Sequence, residues 1–298
     1  MRIATNTISD AMVRQIQLLT GEQSTLQMQV ATGRRITKPE DDPAAVGRVL
    51  NFQSQERQVT QYSANADRAL ELAQTSYSGL QGLKKISDRA GELVTLGTGS
   101  LGPDAMSAYA TETDQLIEQA VQLANSQSGG DYVYGGTAVS APPFSVTRDI
   151  NGSITAVTYV GNSTQAAIPL SDASSVTPST SGATNTGIGD FITHLIELRD
   201  ALNSGSTSAV SAVQPGLMTG EDTIISAMAD NGGIQTRIEA AQAQQKDRTT
   251  SLASLVSNES SVDLPSTIVK LNQTTTAYQA ALSSAAKIMN LSLLDYLK

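Results

Sequence analysis

Two stretches at opposite ends of the chain repeat their apolar residues at alternating spacings of four and three, which leaves few folds open. Near the C-terminus the series is Leu264, Ile268, Leu271, Thr275, Tyr278, Leu282, Ala285 and Met289. Near the N-terminus it is Met12, Ile16, Leu19, Gln23, Leu26 and Val30, with Ile8 one turn before Met12 on the same side. This is the heptad period, by which one helix buries a narrow stripe against another. Each stretch of about 30 residues makes a rod on the order of 45 Å long at 1.5 Å rise per residue. The positions between are mostly Gln, Thr, Ser and Lys, so each rod needs a partner helix. The simplest arrangement pairs the two ends of the chain, parallel or antiparallel according to the route between them. Gln23 interrupts the first seam; a polar seam residue costs stability and helps fix register.

The first rod is expected to end at Gly33, a good left-handed C-cap. A link, Ile36-Thr37-Lys38-Pro39-Glu40, leads to Asp41-Asp42-Pro43, which reads as an Asp cap followed by Pro at the first helical position. A helix to about Leu96 follows, with Ala66, Leu70, Ala73, Tyr77 and Leu80, then Leu83, Ile86, Ala90 and Leu93, on its buried face. Gly97-Thr98-Gly99-Ser100 breaks it. A further helix is predicted from Pro103 to Ser126, with Met106, Ala110, Thr113, Ile117, Ala120 and Ala124 on the seam.

At Gly129-Gly130 the helical period stops and Ser, Thr, Val and Gly take over. Phe144–Ile150, Asn151-Gly152 and Ser153–Val160 read as a β-hairpin with a type I′ turn. Thr180–Gly189 reads as a polar joint. Ile188, Phe191, Ile192, Leu195, Ile196 and Leu202 then form an amphipathic face, and a short helix is expected around Thr219–Asp230. Gly232-Gly233 is read as opening another long helix, with Ile234, Ile238, Ala241, Gln245, Arg248, Leu252, Leu255 and Glu259 at heptad steps. A turn at Asp263-Leu264-Pro265 starts the terminal rod. The expected fold is mainly α with a β-rich insert: an elongated bundle of long N- and C-terminal coiled-coil helices. Its expected parts are an N-terminal rod (1–35), a helical domain in two pieces (36–130 and 187–262), a β-rich insert (131–186) and a C-terminal rod (263–298).

Composition narrows the function classes. Aromatics make up only 4% of the 298 residues, with three Phe and no Trp, so the cores are built from Ala, Leu, Ile and Val. That suits thin helical layers. Nineteen Lys and Arg against 28 Asp and Glu give a net charge of −9, with no basic run to neutralise phosphates, so no nucleic acid is expected as a partner. No apolar run nears 18 residues and no basic amphipathic helix stands out, so no membrane is expected either. The first ten residues lack the charged and apolar regions of a cleaved secretory signal. Cysteine is absent, which excludes disulfides, thiolate metal sites and Cys nucleophiles. A cytosolic protein and one exported by a route that avoids disulfides would both read this way.

No catalytic constellation is visible. His194 is the single histidine and flanks an apolar helical face, so a His-based triad or a multi-His zinc site cannot be built. Asp149-Ile150-Asn151-Gly152-Ser153 faintly resembles a calcium loop, but Ile154 and Val160 stand where Gly and a bidentate Glu belong. Gly129-Gly130 and Gly135-Gly136 lack the Lys-Ser/Thr of a phosphate loop. The chain is therefore read as a structural protein without cofactor or metal, not an enzyme.

Four places together resemble one family, the flagellin-related axial proteins of the bacterial flagellum. They are Ala31-Thr32-Gly33-Arg34-Arg35-Ile36 followed by Asp41-Asp42-Pro43; Gly130-Asp131-Tyr132-Val133-Tyr134-Gly135-Gly136-Thr137 followed by Pro142-Pro143-Phe144; Thr158-Tyr159-Val160-Gly161; and the ending Ile288-Met289-Asn290-Leu291-Ser292-Leu293-Leu294-Asp295-Tyr296-Leu297. Pro43 and the ending look more like the junction type of that family than like flagellin. Tyr134 departs from the pattern, which has Phe there. The resemblance implies export through the flagellar type III apparatus with a chaperone on the C-terminal region. It further implies a homo-oligomeric layer between the first hook-associated protein and the first flagellin subunits, at an extracellular location reached without a cleaved signal. The expected assembly interface is the pair of terminal seams: Ile8, Met12, Ile16, Leu19, Leu26 and Val30 with Leu264, Ile268, Leu271, Tyr278, Leu282, Ala285, Met289 and Leu293. The competing readings are flagellin itself and a non-flagellar coiled-coil protein that binds a partner through helix grooves.

Overall fold

The computed structural model describes the backbone of residues 2–99 and 102–296 and the side chains of residues 10–99 and 102–287. Ile8, Met289 and Leu293 lie outside the described side chains. Among the described residues, six helices carry the chain: α1 (Arg2–Thr32), α2 (Pro43–Gly97), α3 (Pro103–Ala124), α4 (Gly182–Asn203), α5 (Thr207–Ser260) and α6 (Leu264–Tyr296). Between α3 and α4 lie three antiparallel two-stranded pieces: β1 (Gln127–Ser128) with β2 (Asp131–Tyr132), β3 (Phe144–Arg148) with β4 (Ile154–Tyr159), and β5 (Ile168–Ser171) with β6 (Ser174–Val176). The mainly helical fold with a β-rich insert is thus present. The residues divide into two compact units, one of the two chain ends up to Gln58 and from Arg248, the other Val59–Asp247.

The second unit is built around a core of Leu80, Leu83, Leu93, Ile117, Phe144, Ile154, Phe191, Ile192 and Leu195, among others. The buried face of α3 is Met106, Ala110, Thr113, Ile117, Ala120, Val121 and Ala124, which contains every seam residue expected there. The motif around Tyr134 explains itself in this core. Tyr134 is fully buried, and its hydroxyl donates to the Ser76 carbonyl at 2.7 Å. A Cβ on Gly79 would stand 2.4 Å from that hydroxyl, so α2 carries glycine where the phenol enters. The Tyr134 carbonyl accepts from Asn185 Nδ2 at 2.7 Å and from Tyr159 Oη at 3.2 Å. Asn125 brackets Phe144 by bonding both its N–H and its carbonyl at 3.0 Å, and the Phe144 and Tyr159 rings lie 5.3 Å apart. Buried Arg199 ties the β3–β4 hairpin to the helices through the Ile154 carbonyl (2.7 Å) and Asp114 (3.0 Å). A second, smaller cluster joins Ala66, Ala69 and Ala73 of α2 and Ile238 of α5 to Leu170 and Val176 of β5 and β6.

Four local expectations need correction. The β3–β4 turn is not a two-residue type I′ turn: among the described residues no non-glycine has a positive φ, so Asn151 is not left-handed, while Gly152 is, at +92°. The loop spans Asp149–Ser153 because the Asp149 carboxylate accepts from the Asn151 and Ser153 N–H groups at 2.8 and 2.9 Å, a side-chain turn that outcompetes the tighter one. Those bonds hold the Asp149 acid below its ordinary range, against the pull of desolvation. Thr180–Gly189 is no joint, since Ser181 caps α4 by accepting from the Thr184 N–H at 3.1 Å. Gly232-Gly233 does not open a helix either, and the expected short helix around Thr219–Asp230 is not separate. Both lie inside the continuous α5, which also carries Pro215. Packing on both sides of the glycines overrides their poor helix propensity.

Candidate assembly interface

In the first unit α1 and α6 lie side by side and run antiparallel. Gln23 Nε2 meets Thr275 Oγ1 at 3.4 Å, and Arg34 bridges Ser261 where α1 has ended and α6 is about to begin. Along α1, Leu26 is buried and Met12, Ile16, Leu19, Gln23 and Val30 are half-buried. The stripe read from the sequence is the stripe that faces inward.

A hydrogen-bonded knot built from the Gly33–Pro43 motif ties the end of α1 and the start of α2 to the connection between α5 and α6. Gly33 takes φ +68° and its N–H closes on the Gln29 carbonyl at 2.8 Å. Its carbonyl accepts from the Val262 N–H at 3.0 Å, and the Arg35 N–H donates to the Ser260 carbonyl at 2.7 Å. The Arg35 guanidinium spans the Glu259 carbonyl (3.0 Å) and Asp42 (3.1 Å). Arg48 forks onto both Glu259 oxygens at 2.9 Å, the geometry that makes Arg–carboxylate pairs directional. Asp41 accepts from the Lys38 and Thr37 N–H groups at 2.8 and 2.9 Å, and Asp42 caps α2 by accepting from Ala45 at 3.0 Å. The same bonds lower the pKa values of both acids, through Lys38 and Thr37 for Asp41 and through Ala45 and then Arg35 for Asp42. Arg48 likewise lowers Glu259.

On α6 the buried stripe and the apolar stripe are not the same. Thr267 and Thr274 are buried, and Leu271, Thr275, Tyr278 and Ala285 are half-buried. Leu264, Ile268 and Leu282 stay exposed at 42%, 44% and 42%. At about 100° per residue these three fall within roughly 40° of one another, some 60° around the helix from the centre of the covered face. Thus α1 covers one flank of the α6 seam and leaves an apolar ridge beside it. The sequence reading missed Thr267 and Thr274; their heptad spacing was the available signal. It also missed the Arg35–Arg48–Glu259 knot, which joins residues far apart in the chain.

Such a surface suits helix docking, since a layer two helices thick leaves an outer face on each. Elsewhere the candidates for chemistry are occupied by structure. His194 Nδ1 lies 3.0 Å from Glu197 Oε2, and its ring packs over Gly216, where a Cβ would come within 2.6 Å. No described helix is long and apolar enough to cross a membrane.

Comparison with known proteins agrees with the motif reading. The family model of the bacterial flagellin N-terminal helical region matches residues 3–137. Flagellar hook-associated protein 3 of Salmonella typhimurium is 25% identical over 98% of this chain and 98% of its own length. Its Escherichia coli namesake is 28% identical over 49% of this chain and 46% of its own length. Among solved structures, FlgL of Bacillus cereus superposes with a TM-score of 0.60 at 21% identity, over 70% of this chain and 99% of that one. A hook-associated protein structure from Vibrio parahaemolyticus gives 0.65 at 16% identity, over 74% and 100%. The fold is therefore that of the solved hook-associated protein structures, residues 3–137 match the flagellin N-terminal helical region, and the sequence is similar over 98% of its length to flagellar hook-associated protein 3.

Proposed function

We propose that this chain is a structural axial protein of the bacterial flagellum, forming the junction layer that connects the hook, through the first hook-associated protein, to the flagellin filament. The observation that carries this reading is the near full-length similarity to a hook-associated protein 3, and the uncovered ridge on α6 supplies a physical means. An isolated helix pair is marginal in water, because most helical stability comes from burying an apolar face. Copies packed side by side would bury Leu264, Ile268 and Leu282 together with the seam residues around them. A layer with unlike neighbours above and below requires a heterologous interface, which an asymmetric helix pair can present. Residues 1–35 and 263–298 act as assembly core rods, 36–130 and 187–262 as the helical body, and 131–186 as an outward β-rich domain. Before assembly, an export chaperone shields the C-terminal helix, and the chain leaves the cell unfolded through the flagellar export channel without a cleaved signal. The protein works by packing rather than by catalysis.

The test is deletion of the coding sequence in the source bacterium, with electron microscopy of the cells and a gel of the culture fluid. Bare hooks with unpolymerised flagellin in the medium are expected. Bare hooks without extracellular flagellin would instead make this chain the filament subunit, and normal filaments would overturn the flagellar reading altogether.

A further inference from the structure

The glycines inside the helices fall into two groups. At Gly79, Gly82, Gly97, Gly187, Gly216 and Gly220 a Cβ would come within 2.4–2.8 Å of a neighbouring side chain, so packing requires the missing side chain. At Gly21, Gly47, Gly91, Gly232 and Gly233 a Cβ would meet nothing within 4 Å and none has a positive φ; of these only Gly232 and Gly233, in the middle of α5, are adjacent. Two consecutive residues of poor helix propensity therefore sit in a continuous helix with no contact or turn that demands them.

Their position has a second distinguishing feature. They lie between the two hydrophobic clusters of the 59–247 unit. On α5, Val210, Val213, Leu217, Ile224, Ala227 and Met228 belong to the larger cluster, whereas Ile234, Ile238 and Ala241 belong to the smaller. On α2 the smaller cluster ends at Ala73 and, apart from half-buried Leu72, the larger begins at Leu80. Between them both helices bury a polar residue. On α2 it is Ser76, whose Oγ has no hydrogen-bond partner among the described residues. On α5 it is Asn231, 3% exposed, whose Oδ1 accepts from Gln235 Nε2 at 2.7 Å. Apolar packing is interrupted where the backbone is least committed to helix.

We propose that Asn231-Gly232-Gly233 is a hinge. It lets the part formed by residues 59–73, 234–247 and the β5–β6 hairpin swing against the larger core as a separate cooperative unit. The smaller part is held together on its own side of the hinge: Gln245 Nε2 donates to the Leu170 carbonyl at 2.7 Å, Arg237 Nη2 to the Ser175 carbonyl at 3.1 Å and Asn65 Nδ2 to the Pro169 carbonyl at 3.0 Å. Bending at the glycines, with α2 flexing between Ala73 and Leu80, leaves these bonds intact, whereas the Arg68–Asp131 (3.6 Å) and Ser128–Glu71 (3.5 Å) contacts to the β1–β2 ribbon shift. The inference is independent of the flagellar reading.

The absence of cysteine makes a direct test possible in the full chain. Spin labels on cysteines introduced at Asp222 and Gln244, both exposed, span about 33 Å of straight helix. Their distance distribution by pulsed electron resonance is expected to contain a second, shorter population beside the straight one. Replacing both glycines, G232A/G233A, should reduce that population at least fivefold. In unlabelled protein the same change should slow amide exchange at residues 231–236 at least tenfold relative to that at 217–227. A single narrow distribution in the parent chain, unchanged by the double substitution, would overturn the hinge. So would amides at 231–236 that exchange no faster than those two turns away on either side.

Discussion

The contact between Gly79 and Tyr134 yields a prediction with a defined sign. In the parent chain, Gly79→Ala places a Cβ 2.4 Å from a phenol that is fully buried and held by its bond to the Ser76 carbonyl. Burial also pushes the ionisation of that phenol upward, so it remains a donor across the pH range of any stability assay. Overpacking of this kind costs up to about 3 kcal/mol, offset by about 1 kcal/mol of improved helix propensity. The net expectation is about 2 kcal/mol of destabilisation. Tyr134→Phe alone removes one hydrogen bond and should cost about 1 kcal/mol. With the hydroxyl gone, the nearest ring carbons lie 3.3 Å from the new Cβ, and Gly79→Ala becomes neutral or stabilising by up to about 1 kcal/mol. The pair should therefore couple by about 2–3 kcal/mol. Native-state hydrogen exchange at the slowest amides of Leu80–Val94 reads each free energy. Additive effects, with a coupling below about 0.5 kcal/mol, would refute the claim that Gly79 exists to admit the Tyr134 hydroxyl.

Other perturbations follow from the same geometry. Asn185→Ala strips the Tyr134 carbonyl and the Tyr159 hydroxyl of a buried donor and should cost about 2–3 kcal/mol, read from the urea midpoint. Leu26→Ala removes a side chain of α1 that is buried against a thin layer; about 2 kcal/mol is expected, seen as roughly thirtyfold faster amide exchange in α1 and α6 with residues 80–94 unchanged. Hydrogen bonds from Arg89 and Arg148 lower the pKa values of Glu112 and Glu118 from the ordinary 4.5. Their contribution is therefore complete above 4.5 and is lost as pH falls through the lowered values. Urea midpoints should drop as pH falls below about 4.5, and a Glu112→Gln/Glu118→Gln chain should show a flatter drop.

What the sequence revealed and what it concealed have separable causes. The α1 stripe was legible because Met12, Ile16, Leu19, Leu26 and Val30 face a single neighbour, so pattern and burial coincide. The α6 stripe was legible only as an apolar face. A heptad repeat does not say which partner covers which flank, and the backbone bonds of Gly33 to Val262 and of Arg35 to Ser260 set how α6 leaves the knot. Ser181 was read as part of a polar joint because Ser, Thr, Gly and Asn suit loops; its cap and the buried Asn185 made the segment a helix start instead. Gly232-Gly233 looked like a boundary for a sound reason, since glycine disfavours helix. Contacts on either side keep α5 continuous, and the mismatch between local preference and observed helix is what points to the hinge. The Tyr134–Gly79 fit and the Arg48–Glu259 fork join residues from different elements, so no local pattern could show them.

The central claim is that the terminal helices carry an uncovered apolar ridge through which copies of this chain join hook and filament. The most direct measurement is complementation of the deletion strain with Leu264→Asp, Ile268→Asp and Leu282→Asp combined in one chain. These side chains are exposed in the isolated chain, so the variant should still fold, which circular dichroism of the purified protein checks. Electron microscopy of the cells is expected to show hooks without filaments, with both the variant and unpolymerised flagellin in the medium. Filaments of normal number and length on cells making the triple variant would contradict the account.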